Sequence, residues 1–372
     1  MGKANKKPWE ERWRRGRQLG RGGQGVTFLV ERIDVPDERY VLKELRNNGD
    51  LERRKRMHRE VQALQELDHP RLPKIIESNT DAFADLEVPL FFVMDYVDGQ
   101  TLEERVAQGQ LKPDEAIGLV IELSDVLIYC HQKGIIHRDI KQDNIILRLG
   151  NTADPVLIDF GLSFNGTDEN RSPLTPDGQQ LGNRLLHLPE LQVGDSTKRY
   201  VESDISQVCA VLYYVLTGKA PVHLEDHEGL KPHQRTSVKP TLDQINSPAL
   251  ISLFDKGFER VFTKRFRSFE AFKGRLHEVR DEFKYAFATF GHESAGETLA
   301  SVVPDARTTS TESEREKSKP NQIEPEEESP EVWNDLGGER LDALMYASLL
   351  GSWSEKVEGD DDAIKRLIEG DD

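Results

Sequence analysis

The stretch His137-Arg-Asp-Ile-Lys-Gln-Asp-Asn144, followed by Asp159-Phe-Gly161, restricts this chain more than any other feature. It sets a carboxylate, a lysine, an amide and a second carboxylate on two short loops. Between them the sequence reads as strand, turn, strand: Ile145 to Leu147 is apolar, Leu149 to Pro155 carries Gly, Asn and Asp, and Val156-Leu-Ile158 is apolar again. The expectation is a hairpin with Asn144 at one end and Asp159 at the other, close enough to share a cation. An amide oxygen and a carboxylate suit Mg²⁺, which keeps waters and phosphate oxygens as its other ligands.

Charge along the chain is uneven. There are 67 acidic and 50 basic residues among 372, a net charge of −17, and residues 293–372 hold 22 of the acids but 8 of the bases. The remainder is nearly balanced. Nucleic acid is therefore not an expected partner, since phosphate backbones are met by basic surfaces. Mean hydropathy is −0.62, low for a fully folded chain. The Ser-, Thr-, Glu- and Pro-rich run at 293–330 is read as an acidic disordered linker. Residues 331–372 form an acidic segment whose short amphipathic helix (Leu341, Leu344, Met345, Leu349) is suited to docking on the domain or on a partner. Cys130 and Cys209, both in apolar stretches, read as buried hydrophobes in a reducing compartment. No signal-like region follows Met1 and no run of ~18 apolar residues occurs, so the expected location is cytoplasmic, with no membrane partner.

Residues 1–12 are a basic N-terminal extension; Trp9 and Trp13, one helical turn apart, either pack on the domain or lead into its first strand. Gly20, Gly22 and Gly25 follow in a G-x-G-x-x-G pattern. Strand-like sequence from Thr27 to Val30 comes next, so the loop is expected as a flap over a nucleotide rather than a helix-capped phosphate site. On the strand Tyr40 to Leu45, Val41 and Lys43 share a face. Asp50 is placed to cap a helix whose apolar stripe is Met57, Val61, Leu64 and Leu67, with Glu60 on the same side. A buried glutamate opposite a buried lysine gives each a reason. The cluster Arg53, Arg54, Lys55, Arg56 and Arg59 is expected to face largely outward. The break at Val97-Asp-Gly-Gln100, after a strand from Leu90 to Tyr96, reads as a hinge.

Beyond Thr101 the pattern turns helical. One helix is expected from Ala116 to His131, stopping at Gly134, and a second from Ile205 to Leu216 after Ser203-Asp204, with Asp204 bonding to backbone amides. Ser247-Pro248 opens a helix to about Lys264, and Ser268 caps another to about Phe290. The polar segment 162–181 reads as a mobile loop closed by Leu188-Pro-Glu190, with Arg265 as the partner of Glu190.

The ordered set resembles the signatures of the eukaryotic-like, bacterial-type serine/threonine protein kinases, over roughly residues 13–290. The resemblance implies an α+β, two-lobed kinase fold with a small β-rich N-lobe (13–97) and a larger helical C-lobe (98–292). It implies Mg-ATP-dependent phosphoryl transfer to protein hydroxyls, with autophosphorylation, so that ATP and protein substrates are the partners and Mg²⁺ (or Mn²⁺) the metal. Asp139 would orient or accept the substrate hydroxyl proton and Lys141 would steady the γ-phosphate. Lys43, held by Glu60, would contact the α- and β-phosphates, and Asn144 and Asp159 would hold the metal. Leu19, Gly20, Gly22, Gly25, Thr27, Val41, Met94, Asp95, Val97 and Ile146 would surround the nucleotide, Met94 as gatekeeper, Val41 and Ile146 sandwiching adenine. His137 would pack against Phe160 with Leu64. Arg138 would answer a negative charge in the 162–181 loop, with Thr167, Ser172 and Thr175 as candidate phosphorylation sites.

Three positions depart from the family pattern. Thr27 replaces valine, Asn183 replaces the threonine that supports the catalytic loop, and Ser206-Gln207 replaces Trp-Ser. The last two are expected to bear on the substrate platform. The competing reading is a pseudokinase or scaffold that binds partners through its acidic tail; the filled set of catalytic positions argues against it.

Overall fold

The computed structural model describes residues 7–21, 25–161, 163–165, 183–192 and 200–293. Gly22, the hydroxyls Thr167, Ser172 and Thr175, and the linker and tail helix lie outside them. The chain begins with β1 (Trp13–Arg21), β2 (Gly25–Arg32) and β3 (Arg39–Leu45), then α1 (Leu51–Gln65), β4 (Ile75–Ser78) and β5 (Phe91–Asp95). The five strands form one antiparallel sheet in the order β1-β2-β3-β5-β4. Alternation along β3 sends Val41 and Leu45 into one cluster with Met57 and Val61 of α1, while Leu42 joins Trp9, Trp13, Val30, Phe91 and Val93 on the other face. Both faces of this sheet are therefore covered.

The second cover comes from the segment expected as an extension. Trp9 and Trp13 are each 3% exposed. A buried indole needs an acceptor for its N–H, and both have one: Trp9 Nε1 donates to Glu44 at 2.7 Å and Trp13 Nε1 to Glu77 at 2.8 Å. Lys7 adds an ion pair to Glu44 at 2.8 Å. Of the two alternatives for the segment before β1, packing on the domain is the one seen, and it reaches back to Lys7. Trp9→Ala should cost about 3–5 kcal/mol, a fall in melting temperature on the order of 10 °C, measured by thermal unfolding.

Helix α1 starts as expected, with Asp50 accepting from the amides of Glu52 and Arg53 at 3.1 Å. The expectation for its basic cluster needs correction. Arg54 is fully buried and Arg56 is 8% exposed. Arg54 stands on the same helical stripe as Met57, Val61 and Leu64, and backbone carbonyls receive its guanidinium.

The rest of the described chain is mostly helical. After β6 (Gly99–Thr101) and α2 (Leu102–Ala107), α3 spans Pro113–Gln132 and ends at Gly134, whose φ of 76° suits a residue without Cβ. Then come β7 (Ile135–Ile136), β8 (Ile145–Arg148), β9 (Pro155–Leu157), β10 (Phe164–Asn165), β11 (Leu186–His187) and α4 (Pro189–Gln192). The expected hairpin is β8–β9, pairing Ile145 with Leu157, and β6 completes its sheet. Helices α5 (Val201–Thr217), α6 (Lys239–Ile245), α7 (Pro248–Gly257) and α8 (Phe269–Glu293) follow, with β12 (Val222–His223) after α5. The core runs between α3, α5, α7 and α8, and among the described residues no helix is long and apolar enough to cross a membrane.

Two helix limits differ from expectation. α5 begins before Asp204, placing that carboxylate in its first turn. α7 stops at Gly257 rather than near Lys264 because the chain folds back to receive Arg265: the carbonyls of Glu259 and Arg260 accept from its Nε (2.6 Å) and Nη2 (3.2 Å). A continuing helix would consume such carbonyls internally. Arg265, 1% exposed, also reaches the expected Glu190 at 2.5 Å. Gly257 is required where α7 crosses α5, since a Cβ there would lie 2.4 Å from Cys209 Sγ.

Candidate active site

Strand β3 aims Lys43 at the inner face of α1, where Glu60 receives it at 2.6 and 2.8 Å. The two are 7% and 1% exposed. Asp159, at the far end of the β8–β9 hairpin, lies 3.3 Å from Lys43 Nζ. Burial works against the Lys43 ammonium, but Asp159 and Glu60 outweigh it and raise its pKa above the ordinary lysine value. Burial pushes Glu60 up to about 7, against the pull of Lys43. For Asp159 burial is overcome by Lys43 and the Gly161 amide, so its carboxyl falls below the usual range. One cation thus serves two carboxylates, and the one nearer solvent holds its charge better.

The loop after β7 assembles the second group. Asp139 Oδ2 accepts from Lys141 Nζ at 2.8 Å and from Asn144 Nδ2 at 3.2 Å, and the same Asn144 nitrogen donates to the Asp139 carbonyl at 2.8 Å. Asp139 Oδ1 is buried and has no hydrogen-bond partner among the described residues. A buried acceptor left unpaired is costly, and native structures keep such atoms where a ligand supplies the donor. Burial raises the Asp139 pKa while Lys141 pulls it back. With its nitrogen committed to Asp139, Asn144 has its amide oxygen to offer a cation, beside the carboxylate of Asp159. That donor set is hard and oxygen-only, which fits a hydrated divalent metal.

Two residues in this region have left-handed backbone, Arg138 at φ 69° and Asp159 at φ 64°. Such conformations persist only where the surroundings over-determine them, and the partners of residues 137–140 are accounted for almost atom by atom. Asp204, fully buried, accepts from the amides of His137 (2.9 Å) and Arg138 (2.8 Å) and pairs with His131 at 2.8 Å. Burial opposes the Asp204 charge, yet the bond from His131 and the other donors hold its pKa low. His137 itself is buried with its ring 4.5 Å from Phe160, the expected packing role.

Two of the positions that depart from the family pattern support the same loop. Gln207, fully buried, accepts from Ile140 N at 2.9 Å and donates to Arg138 O at 2.8 Å, so one side-chain amide grips the peptide groups on both sides of Asp139. Asn183 donates to Ile140 O at 2.5 Å while its oxygen accepts from Leu185 and Leu186. Asn183 thus supports the catalytic loop from the place of the threonine it replaces, and Gln207 adds a hold on that loop that the sequence reading did not assign. The available signal was a Gln inside the apolar stretch from Ile205 to Leu216. Gln207→Leu should lower kcat about 10²-fold through misplacement of Asp139 while leaving the KM for ATP within a factor of two or three; steady-state kinetics at varied ATP separates the two.

The expected nucleotide-facing positions fall on the five-stranded sheet, on the segment that leaves it after β5, and on β8 of the three-stranded sheet. Val41 and Met94 are register partners on β3 and β5, and Leu19 packs on their cluster. Asp95 ends β5 and accepts from the Lys74 amide, Val97 lies between β5 and β6, and Ile146 sits on β8 opposite Val156. Thr27 donates its hydroxyl to the Gly20 carbonyl at 3.2 Å. Gly25 is explained by the sheet alone, since a Cβ would stand 2.4 Å from the Glu44 carbonyl.

With this geometry in place, comparison with known proteins is direct. A family model described as the protein kinase domain matches residues 13–274. The chain belongs to the protein kinase family. The kinase is 32% identical over 249 residues to serine/threonine-protein kinase C of Synechocystis sp., covering 62% of this chain and 44% of that one. It is 31% identical to serine/threonine-protein kinase PknA of Nostoc sp. (69% and 45%) and 27% identical to serine/threonine-protein kinase pkn2 of Myxococcus xanthus (77% and 34%). The kinase spans less than half the length of these curated relatives. Its fold is the expected α+β arrangement of β-sheet N-lobe and helical C-lobe.

Proposed function

We propose that this chain is an active, cytoplasmic serine/threonine protein kinase that transfers the γ-phosphoryl group of ATP to protein hydroxyls, including its own. The observation that carries this reading is the unpaired, buried Oδ1 of Asp139 beside Lys141. A serine or threonine hydroxyl donating to that oxygen would have its own oxygen free to attack the γ-phosphorus. The O–H proton would pass to Asp139, the bond from the γ-phosphorus to the bridging oxygen would break, and ADP would leave. Lys141 is placed to offset charge on the transferring phosphoryl, and Lys43 to hold the α- and β-phosphates. Mg²⁺ (or Mn²⁺) held by Asn144 and Asp159 would supply charge neutralisation, which together with positioning is most of what phosphoryl transfer needs. A scaffold that only bound partners would have no use for a desolvated acceptor of this kind.

The acidic segment 293–372 is proposed to dock on the domain or a partner, and its deletion tests this by raising autophosphorylation if the docking is inhibitory. Incubation with γ-labelled ATP and Mg²⁺, then phosphoamino-acid analysis, tests the main reading. Phosphoserine or phosphothreonine is expected; no incorporation into the chain or into generic basic-protein substrates would sink it.

A further inference from the structure

The buried Arg54 has no role in the site as described so far, and its surroundings are unusual for a cation. A guanidinium offers five N–H donors in a planar fork. Nε donates to Phe83 O at 2.6 Å, Nη1 to Val88 O at 2.9 Å and Asn48 O at 3.3 Å, and Nη2 to Ala82 O at 2.8 Å and to Asp85 O. Five donors meet five backbone carbonyls. They come from two segments, the turn before α1 and the loop between β4 and β5. Burial lowers the Arg54 pKa, against the smaller opposing pull of the Asp85 carboxylate. A methionine or leucine at this point of the Met57–Val61–Leu64 stripe would fill the space without desolvating a charge. What the arginine adds is direction, because a rigid fork satisfies five carbonyls in one orientation only.

That orientation matters because α1 carries Glu60, which grips Lys43 at 2.6 Å. The same block is tied to β3, where Leu45 N donates to Leu90 O at 3.1 Å and Leu90 N to Asn48 Oδ1 at 3.3 Å. His58 stacks on Phe83 with centroids 4.7 Å apart, one helical turn from Arg54. We propose that Arg54 is a positioning residue for phosphoryl transfer: it locks α1 to the β4–β5 loop so that Glu60 stays against Lys43 without help from a partner or a modification.

The inference rests on the reading that the Lys43–Glu60 pair serves phosphoryl transfer, and a double-mutant cycle tests it. Arg54→Met should lower kcat about ten-fold, and in a Glu60→Gln background the same change should lower it less than two-fold. Equal losses in both backgrounds, or a lowered melting temperature with unchanged kcat, would overturn the proposal and leave Arg54 a fold residue. If the methionine variant does not fold, Arg54→Lys takes its place, keeping the charge but reaching at most three of the carbonyls. A readout independent of turnover is the nuclear Overhauser cross-peaks between the side chains of Lys43 and Glu60, which lie 2.6 Å apart at their polar ends. The proposal expects Arg54→Met to weaken or abolish them as Glu60 leaves its place; unchanged cross-peaks count against it. Absence of phosphoryl transfer in the wild type would defeat the functional reading, while the cross-peaks would still decide the role of Arg54.

Discussion

Asp139→Asn should give a protein that folds and binds ATP normally but transfers phosphate about 10³-fold more slowly, within the range for loss of a positioned general base. The substitution is isosteric. The contacts to Lys141 and Asn144 converge on Oδ2, so an amide oxygen turned that way preserves both. The other position, where Oδ1 is buried without a partner among the described residues, then holds an NH₂ group. A substrate hydroxyl arriving there meets a donor instead of an acceptor, and no group is left to receive its proton. Lys43, Glu60 and Asp159 are untouched, so ATP affinity measured by calorimetry should stay within a factor of about two. A rate within about three-fold of wild type would show that Asp139 is not where the hydroxyl is received.

Lys43→Met should reduce phosphoryl transfer by a comparable factor, about 10²–10³-fold, and should also mark stability with a pH dependence. Removing one member of a buried pair costs about 3–5 kcal/mol because the remaining charge is left uncompensated. Glu60 has an escape: already pushed up to about 7 beside Lys43, it rises further without it and takes a proton. Between the ordinary value of 4.5 and that raised value, the folded state binds more protons than the unfolded one, so stability falls as pH rises through the window. The melting-temperature difference between wild type and Lys43→Met should therefore be small near pH 6 and grow toward pH 8. Thermal unfolding at the two pH values checks it, and a gap that shrinks with rising pH would mean that Glu60 is not the group left behind.

What was legible in the sequence was whatever follows from spacing along one element. Val41 and Lys43 share a strand face, Glu60 follows the stripe of α1, and the turn at Leu149–Pro155 returns the chain so that Asn144 and Asp159 approach. Less legible were contacts that join distant segments through buried polar groups. Arg54 was read with its charged neighbours, because its hydrogen-bond acceptors are backbone carbonyls at 48 and 82–88, which no residue type in the sequence marks. Gln207 was missed for a related reason: its amide serves a loop more than 60 residues away in sequence, and no local periodicity records that. The N-terminal segment stayed open between two alternatives, since a tryptophan beside basic residues fits a lead-in to the strand as well as a clamp.

That clamp has a mechanical consequence. Trp9 and Lys7 both close on Glu44, the residue next to Lys43 along β3. Residues 7–9 are therefore coupled, one residue away, to the lysine that would meet ATP, and a displacement of Trp9 would be felt at the nucleotide end of the sheet.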